Sequence, residues 1–382
     1  MKDIELIATT TFGLEAVAKR ELEALGFKDL KVDNGKITFP SSKRGIAKSN
    51  IWLRTADRVL LKMGEFKALS FDELFEKTKA LPWDEWLEED ANFVVEGKSI
   101  KSKLYSVPDC QRIVEKAVVE KLKTKYNVDW FEKTGAKYTI EVALLKDVAT
   151  ITIDTSGAGL HKRGYRERAG DAPIKETLAA AMVLLSFWNK DRVLYDPFCG
   201  SGTILIEAAM IGRNIAPGLD REFDAEDWHM VDEKYWKEEK RAAFKAIDNE
   251  SKLELLGSDT DKRSILRARD NAASLGLEDD ISFFMKDMRD VDLKDDYGVL
   301  ITNPPYAERM GEKEEVQNLY VDLGKKFEEF KTWSIYVITS DEKFETLYGR
   351  KADRTRKLYS GRIKVDYYQY YGPRPSKDFY RR

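Results

Sequence analysis

The second half of the chain alternates short apolar runs with helical segments, and this pattern constrains the fold most. From Pro173 onward, runs that resemble strands (VLYDP, ISFFM, YGVLIT and SIYVITS) are separated by segments with helical periodicity. Strands that alternate with helices build a parallel, doubly wound sheet. The late segment GRIKVDYYQYYG predicts an antiparallel edge. We therefore expect a Rossmann-like α/β fold over residues 173–382.

The first strand of this half ends in DPFCGSGT, residues 196–203. In a doubly wound sheet, the first turn from strand to helix binds a nucleotide-like ligand, and Gly200 and Gly202 let the backbone approach it. The turn has no phosphate-binding lysine, and Leu205 stands where G-x-G-x-x-G needs its third glycine. A less anionic adenosine ligand is favoured, and S-adenosylmethionine fits. A purely structural glycine turn is the alternative.

The next two strands also end in acidic residues. In GSDTD, Asp259 is our candidate for accepting hydrogen bonds from both ribose hydroxyls. Asp261 is the better candidate for the N-cap of the following helix. In MKDMRD, Asp287 is placed to accept from the adenine amine and Met288 to pack on the adenine ring, although a surface turn would also explain this pair.

The fourth strand stops at Asn303, Pro304, Pro305 and Tyr306. Two successive prolines lock φ and supply no N–H, so neither helix nor sheet continues through them. The Asn303 side chain and the Pro304 backbone offer carbonyl oxygens that can converge on one amino group, and Tyr306 offers a flat face to a base. Since carboxyl ends of parallel strands meet at one edge, the four strand ends predict one crevice that binds a planar amine.

The first half of the chain predicts a different architecture. Residues 1–65 and residues 66–155 each mix helices with strands that pair as hairpins, which is typical of α+β units. Residues 156–172 are rich in glycine and charge, and we interpret them as a linker.

Composition narrows the function. The net charge is −3, but residues 350–382 hold eleven Lys/Arg against three Asp, with seven aromatic residues interleaved. Residues 98–126 hold eight Lys/Arg against three acids. Basic runs with aromatics suit RNA, by phosphate contact and stacking, although solvated surface is the alternative. Two cysteines and two histidines argue against disulfides and metal chemistry. With no long apolar run and no leader, we expect a cytoplasmic protein.

Several of these motifs resemble a known family. DPFCGSG together with NPPY resembles the amino-methyltransferases that modify exocyclic nitrogens of nucleic-acid bases. GLHKRGYRERAGDAPIKETLAAAM, residues 159–182, resembles the segment that introduces the catalytic domain of THUMP-containing RNA guanine-N2 methyltransferases. DCQRIVEKAVVEKL, residues 109–122, resembles the THUMP domain itself. The resemblance covers essentially the whole chain and is closest to bacterial 23S rRNA guanine-N2 methyltransferases that lack a second fused catalytic domain.

The resemblance implies a ferredoxin-like domain over 1–65, a THUMP RNA-binding domain over 66–155 and a methyltransferase domain over 173–382. It implies S-adenosylmethionine as cofactor and RNA as partner. The cofactor would be bound by Asp196, Phe198, Gly200, Gly202, Asp259, Asp287, Met288 and Asn303. Residues Asn303, Pro304, Pro305 and Tyr306 would hold the target base. Basic residues from His161 to Arg166 would lie near the mouth of the site, although His161 could equally be a packed linker histidine.

The predicted reaction is direct methyl transfer to guanine N2, driven by proximity and by acceptors on the nitrogen. A tRNA guanine-N2 enzyme is the main alternative, since the same residues would act. An adenine-N6 enzyme or an RNA-binding protein without activity remains possible on sequence grounds. A 5-methylpyrimidine enzyme is disfavoured, because neither Cys110 nor Cys199 lies in the predicted base site.

Overall fold

A computed structural model describes residues 4–128, 130–166, 174–294, 296–306, 312–377 and 379. The described chain divides into two compact units. The N-terminal unit comprises the described residues of 1–10, 18–160 and 218–245, and the C-terminal unit comprises those of 11–17, 161–217 and 246–382.

The strands are β1 (Ile4–Thr10), β2 (Lys31–Asp33), β3 (Lys36–Ser41), β4 (Ala56–Lys67), β5 (Asn92–Ile100), β6 (Lys137–Leu145), β7 (Val148–Asp154), β8 (Leu194–Asp196), β9 (Leu255–Asp259), β10 (Ile281–Met285), β11 (Val299–Thr302), β12 (Ser334–Thr339), β13 (Arg354–Ser360) and β14 (Ile363–Tyr370). The helices are α1 (Glu15–Ala24), α2 (Lys43–Trp52), α3 (Phe71–Lys79), α4 (Trp83–Trp86), α5 (Val107–Tyr126), α6 (Glu176–Leu184), α7 (Thr203–Gly212), α8 (Glu233–Lys245), α9 (Lys262–Ala273), α10 (Glu312–Phe327) and α11 (Phe344–Tyr348).

The N-terminal unit is built on one seven-stranded sheet of order β2-β3-β1-β4-β7-β6-β5. Its pairs are antiparallel except β5 with β6, which confirms the α+β prediction. The long strand β4 pairs with β1 on one side and β7 on the other. The boundary that we predicted after residue 65 therefore falls inside a strand shared by both parts of the sheet.

Residues 218–245 belong to the N-terminal unit although they follow α7 in sequence. In sequence, the acidic, tryptophan-containing stretch 219–240 resembles an insertion between the first and second strands of the catalytic domain that caps the sheet edge or contacts substrate; the structure instead places it in the N-terminal unit. The Trp228 ring stacks on Tyr138, with centroids 4.7 Å apart and planes 20° apart. The Arg44 guanidinium pairs with the Glu239 carboxylate at 2.7 Å.

The C-terminal unit contains the predicted doubly wound sheet, of order β10-β9-β8-β11-β12-β14-β13. The five strands from β10 to β12 run parallel, and β14 and β13 are antiparallel additions. This confirms the α/β fold and the antiparallel edge, but β13 itself was not predicted. Its sequence, RTRKLYS, lacks an apolar run because β13 is an edge strand.

Apolar side chains cover both faces of this sheet. Alternate strand residues face opposite sides, so Val299 and Ile301 pack in one cluster and Leu300 in the other. Helices α6 and α7 are almost entirely buried against the first cluster, which explains their nearly continuous apolar sequence. The buried sheet fixes the positions of the strand ends on which the site is built.

Candidate active site

The ends of four neighbouring strands bring the predicted residues to one edge of the C-terminal sheet. Asp196 is the last residue of β8 and Asp259 the last of β9. Asp287 follows β10 by two positions, and Asn303 comes directly after β11. Because these strands are parallel neighbours, all four residues lie at the carboxyl edge, where ligands bind in open α/β sheets.

Asp196 is a buried carboxylate with unused hydrogen-bonding capacity. The Thr302 hydroxyl donates to its Oδ1 at 2.6 Å, and the Phe198 N–H donates to the same oxygen at 3.1 Å. Among described residues, none donates to Oδ2. Burial raises the pKa of Asp196 to about 7. A cationic ligand would stabilise the ionised form of this carboxylate.

The two glycines of the turn have different surroundings. Gly200 has φ of 52°, and no heavy atom lies within 4 Å of the position that a Cβ would occupy. Gly202 has φ of 82°, and a Cβ there would lie 2.8 Å from the Phe283 ring. Gly200 thus leaves room for a ligand, whereas Gly202 allows close packing of the turn on β10.

Asp259 ties the second strand to the glycine turn. Its Oδ2 accepts the Gly200 N–H at 3.0 Å and its Oδ1 accepts the Asp261 N–H at 2.9 Å. The carboxylate is therefore oriented before any ligand binds. Asp261 is the N-cap of α9, as predicted, and accepts from the N–H groups of Arg263 and Ser264 at 3.1 Å each.

The third strand end places its two candidates in different environments. Asp287 is half-buried and accepts from the Arg289 N–H at 2.9 Å and its guanidinium at 3.2 Å. Met288 is only 2% exposed and packs in the apolar cluster that contains Leu300, with Phe198 partly buried against the same cluster. The structure thus leaves Asp287 nearer to solvent than Met288.

The fourth strand end forms a rigid step, which we call the clamp (Asn303 to Tyr306). Asn303 and Tyr306 are half-buried, Pro304 is buried and Pro305 is exposed. The Tyr306 hydroxyl donates to Asn303 Oδ1. Burial raises the pKa of Tyr306, so this hydroxyl stays protonated and able to donate. Residues 307–309, which follow the clamp, lie outside the described residues.

Tyr320 of α10 supports the clamp, and sequence reasoning missed it. Its hydroxyl donates to the Pro305 carbonyl at 3.0 Å and shares a hydrogen bond of 2.9 Å with the Thr339 hydroxyl. In sequence, Tyr320 is one apolar position of an amphipathic helix, so the hydroxyl's partner could not be predicted. Thr302 was missed for the same reason, because a strand threonine gives no sign of its partner.

A cavity of about 340 Å³ adjoins the clamp. Its described lining consists of Tyr306, Lys313, Tyr320, Ser340, Asp341, Glu342 and Lys343. Asp341 Oδ1 accepts the Lys343 N–H at 2.8 Å, and its Oδ2 accepts from the Gln317 amide at 3.4 Å. The cavity therefore brings carboxylate acceptors and two lysines next to the rings of Tyr306 and Tyr320.

The basic segment 161–166 is held by ion pairs to two neighbouring helices. The Arg163 guanidinium is buried and pairs with Glu207 of α7 at 3.2 Å, and the Tyr165 hydroxyl donates to the same carboxylate. The Arg166 guanidinium pairs with Glu176 at 2.9 Å. Burial and nearby cations lower the pKa of His161 to about 4, so it is neutral at pH 7. These residues fasten the segment to α6 and α7.

Three of the seven aromatic residues of 350–382 differ from expectation. Tyr367, Tyr368 and Tyr370 are at most 5% exposed, and they pack in the core from β14. They do not offer faces to RNA. Alternation along a strand buried on both sides explains their spacing.

The residues at this edge fit S-adenosylmethionine. Gly200 leaves space at the turn, Asp259 offers a fixed carboxylate, and Asp196 offers a buried anion to a positively charged ligand. The fold and site define an S-adenosylmethionine-dependent methyltransferase.

Comparison with known proteins identifies the family. A model of the RMKL-like methyltransferase domain matches residues 163–369, the RlmL ferredoxin-like domain matches 5–60, and the THUMP domain matches 68–154. The chain belongs to the RMKL-like family of methyltransferases with THUMP and RlmL-type ferredoxin-like domains, and it is an RNA methyltransferase.

Several relatives are similar over nearly their full length. The Bacillus subtilis (strain 168) protein named "Putative RNA methyltransferase YpsC" is 51% identical over 373 residues, which are 97% of each chain. A Listeria monocytogenes structure described as a "predicted N6-adenine-specific DNA methylase" is 51% identical, with a TM-score of 0.93 over 98% of this chain and 97% of that one. SMU.472, described as "a putative methyltransferase complexed with SAH", is 45% identical, with a TM-score of 0.93 over 98% of this chain and all of that one.

No helix in the described part of the chain is both long and apolar enough to span a membrane.

Proposed function

We propose that the protein transfers a methyl group from S-adenosylmethionine to the exocyclic N2 of a guanine in 23S rRNA. The observation that carries the choice of base is the Asp341 carboxylate in the cavity beside the clamp. The likeness to bacterial 23S rRNA guanine-N2 methyltransferases, together with the match to the RlmL ferredoxin-like domain at residues 5–60, supports the choice of RNA.

The clamp is suited to hold an amino group. Asn303 Oδ1 and the Pro304 carbonyl accept the two N2 hydrogens, and these bonds strengthen as positive charge develops on the nitrogen. A carbonyl oxygen has two lone pairs, so Tyr306 can fix the Asn303 amide through one while the other accepts from the base. Bound S-adenosylmethionine supplies an electrophilic methyl group. Transfer leaves S-adenosylhomocysteine and a positively charged N2, which is acidic and releases its proton to water.

The cavity favours guanine over adenine. Guanine presents donors at N1 and N2 along its Watson–Crick edge, whereas adenine presents an acceptor at N1. A carboxylate accepts hydrogen bonds and, when ionised, donates none. Asp341 lines the cavity together with Tyr306, and in this proposal its carboxylate accepts from the guanine N1–H. An adenine in the same place would set its N1 lone pair against this carboxylate.

Methyl transfer to adenine N6 is the alternative activity that the description of the Listeria monocytogenes structure suggests. The clamp alone does not separate the two bases, because each carries an exocyclic amine. The THUMP match at 68–154 favours RNA over the DNA substrate in that name. A tRNA guanine would leave every role in the C-terminal unit unchanged.

The test is methyl transfer from labelled S-adenosylmethionine to deproteinised 23S rRNA, 16S rRNA and tRNA from a strain that lacks the gene, followed by nucleoside analysis. We expect N2-methylguanosine in 23S rRNA alone. N2-methylguanosine in tRNA would identify tRNA as the substrate, and N6-methyladenosine would overturn the choice of guanine.

Asp341→Asn tests the base-reading role. It replaces one acceptor oxygen by a donor, so kcat/KM for the guanine substrate should fall about 10- to 100-fold, the value of a hydrogen bond to a charged group. Asp279→Asn, at an exposed acid outside the cavity, is the control. Equal activity of both variants would remove Asp341 from base recognition.

A further inference from the structure

The β13–β14 hairpin stands at the same sheet edge as the clamp. Thr339, the last residue of β12, lies opposite Asp366, so β14 continues three residues past the end of β12 to Ile363. At about 3.3 Å per residue, the hairpin extends about 10 Å beyond the neighbouring strand. Strands β11 and β13 are three positions apart, or about 14 Å. The hairpin tip is thus within reach of nucleotides that adjoin a base in the clamp.

The tip of the hairpin is basic. Lys357, Arg362 and Lys364 are exposed, and among described residues no carboxylate lies within 4.0 Å of the charged groups of the first two. Lys364 pairs with Glu342, which lines the cavity beside the clamp, at 4.0 Å. The basic surface is therefore continuous with the wall of the proposed base site.

An aromatic pair lies on the same face of the hairpin. The Phe12 ring packs edge-on against Tyr359, with centroids 5.8 Å apart and planes 80° apart. Tyr359 and Lys357 are two positions apart on β13 and so face the same side, and Tyr359 lies opposite Lys364 on β14.

The chain keeps Phe12 in this position by close backbone contact, yet leaves it half in solvent. Gly13 has φ of 94°, and a Cβ there would lie 2.7 Å from the Lys357 carbonyl, so only glycine lets the loop approach β13 this closely. Leu14 is buried in the apolar core of the C-terminal unit. Phe12, between these anchors, remains 51% exposed, and Ile363 at the tip is 50% exposed. Apolar packing within the unit does not explain why Phe12 is half exposed beside basic side chains.

We propose that Phe12 and Tyr359, with Lys357, Arg362 and Lys364, form a platform for a single-stranded segment of the substrate RNA next to the target nucleotide. The proposal rests on the RNA methyltransferase function. A base flanking the target stacks on Phe12, and the cations contact the adjoining phosphates, the combination that nucleic-acid sites for single strands use. A target base must leave its stack to enter the clamp, and a platform that holds its neighbours stabilises the unstacked form.

Binding of a fluorescein-labelled, mixed-sequence RNA of about 12 nucleotides, single-stranded or as a duplex, tests the platform by fluorescence anisotropy of the full chain. Phe12→Leu keeps an apolar side chain but removes the aromatic face. It should weaken single-strand binding about fivefold or more and leave duplex binding unchanged, whereas Phe12→Tyr should bind like the wild type. Phe244→Leu is the matched control, at a 68% exposed phenylalanine of α8.

Lys357→Ala tests the electrostatic part. The slope of log Kd against log salt for the single strand should decrease by about 0.7, because one phosphate contact is lost. An unchanged slope would remove Lys357 from the platform. Equal losses of single-strand and duplex affinity in Phe12→Leu, or no loss at all, would overturn the stacking role.

Steady-state methylation separates this proposal from the proposed function. Phe12→Leu should raise KM for RNA about fivefold or more and leave kcat and KM for S-adenosylmethionine unchanged. The methylated nucleoside reports on the base assignment independently. N6-methyladenosine with a raised KM would overturn the guanine assignment and support the platform. N2-methylguanosine with an unchanged KM would support the guanine assignment and overturn the platform.

Discussion

At the scale of single residues, Asn303 is the residue on which the proposed chemistry most directly depends. Asn303→Ala should lower kcat by about 100-fold or more, the usual effect of removing an acceptor or donor aimed at developing charge. The dissociation constant of S-adenosylmethionine, measured by calorimetry, should change less than twofold. Asn303→Asp, which keeps an acceptor oxygen, should retain more activity than Asn303→Ala.

Either of two results would contradict this role for Asn303. Retained transfer in Asn303→Ala would show that the amine is held elsewhere. A large loss of cofactor affinity would show that Asn303 binds the cofactor as well as the base, as our sequence analysis also allowed.

Asp259 has a role that differs from that of its neighbour Asp261. Asp259→Ala should weaken S-adenosylmethionine binding by about 1–3 kcal/mol, because the Gly200 N–H loses its partner along with the proposed ribose contact. Asp261→Ala removes only the cap of α9 and should lower the free energy of unfolding by about 1 kcal/mol, with cofactor affinity unchanged. Calorimetry and urea unfolding of both variants measure the two effects. Similar affinities in the two variants would move the ribose role to another residue.

Asp196 predicts a pH dependence of cofactor binding. Its pKa of about 7 means that the carboxyl group is largely protonated at pH 6 and ionised at pH 8. Since a cationic cofactor favours the ionised form, affinity for S-adenosylmethionine should rise from pH 6 to pH 8, by up to about tenfold per unit below the pKa. Asp196→Asn should flatten the profile, and a slope that persists in this variant would assign it to another group.

The same carboxyl group has the opposite effect on the stability of the unliganded protein. Its folded pKa lies above the unfolded value, so the folded state binds its proton more tightly. The contribution of Asp196 to the free energy of unfolding therefore falls as pH rises from about 4 to about 7.

At the scale of elements, α10 and β12 hold the clamp through Tyr320 and Thr339. Tyr320→Phe removes a hydroxyl that bonds the Pro305 carbonyl, so the clamp should lose orientation. We expect kcat to fall several-fold, cofactor affinity to stay unchanged, and the free energy of unfolding to fall by about 1 kcal/mol. Tyr348→Phe, a buried tyrosine of the same apolar cluster, is the control. If both variants lose kcat equally, the effect is one of general packing.

The elements show what sequence alone can predict. The alternation of strands and helices after Pro173 gave the doubly wound sheet, because buried parallel strands require continuous apolar runs. The four strand ends were found for the same reason. Strand β13 was missed because its cations face solvent at an edge. Tyr367 and Tyr370 were misinterpreted because a tyrosine that fills a core looks the same in sequence as one that stacks on a base.

At the scale of the whole molecule, chain order and unit membership do not coincide. Residues 218–245 follow α7 in sequence but pack in the N-terminal unit, and residues 11–17, which include the start of α1, belong to the C-terminal one. Composition marked 219–240 as an acidic insertion with tryptophans, but long-range packing decides which surface those tryptophans cover. Local patterns carry no information on that choice.

This organisation predicts how the C-terminal unit behaves when it is separated. A contiguous fragment of residues 161–382 would carry Trp228 and Trp236, which are at most 2% exposed in the N-terminal unit, into solvent. Such apolar exposure promotes association. The Asn214 amide donates to the Ala246 carbonyl at 3.1 Å, so the two ends of the insertion lie close together and a short Gly/Ser linker can replace 218–245.

We expect the fragment with the linker to elute as a smaller, better-defined species than the contiguous fragment in gel filtration, and to bind less of the dye ANS. Both fragments lack Leu14, so the difference between them reports on the insertion alone. Calorimetric titration with S-adenosylhomocysteine checks that the shortened fragment keeps its site. Equal dye binding by the two fragments would show that residues 218–245 cover their own apolar side chains, and that their place in the N-terminal unit contributes little to their stability.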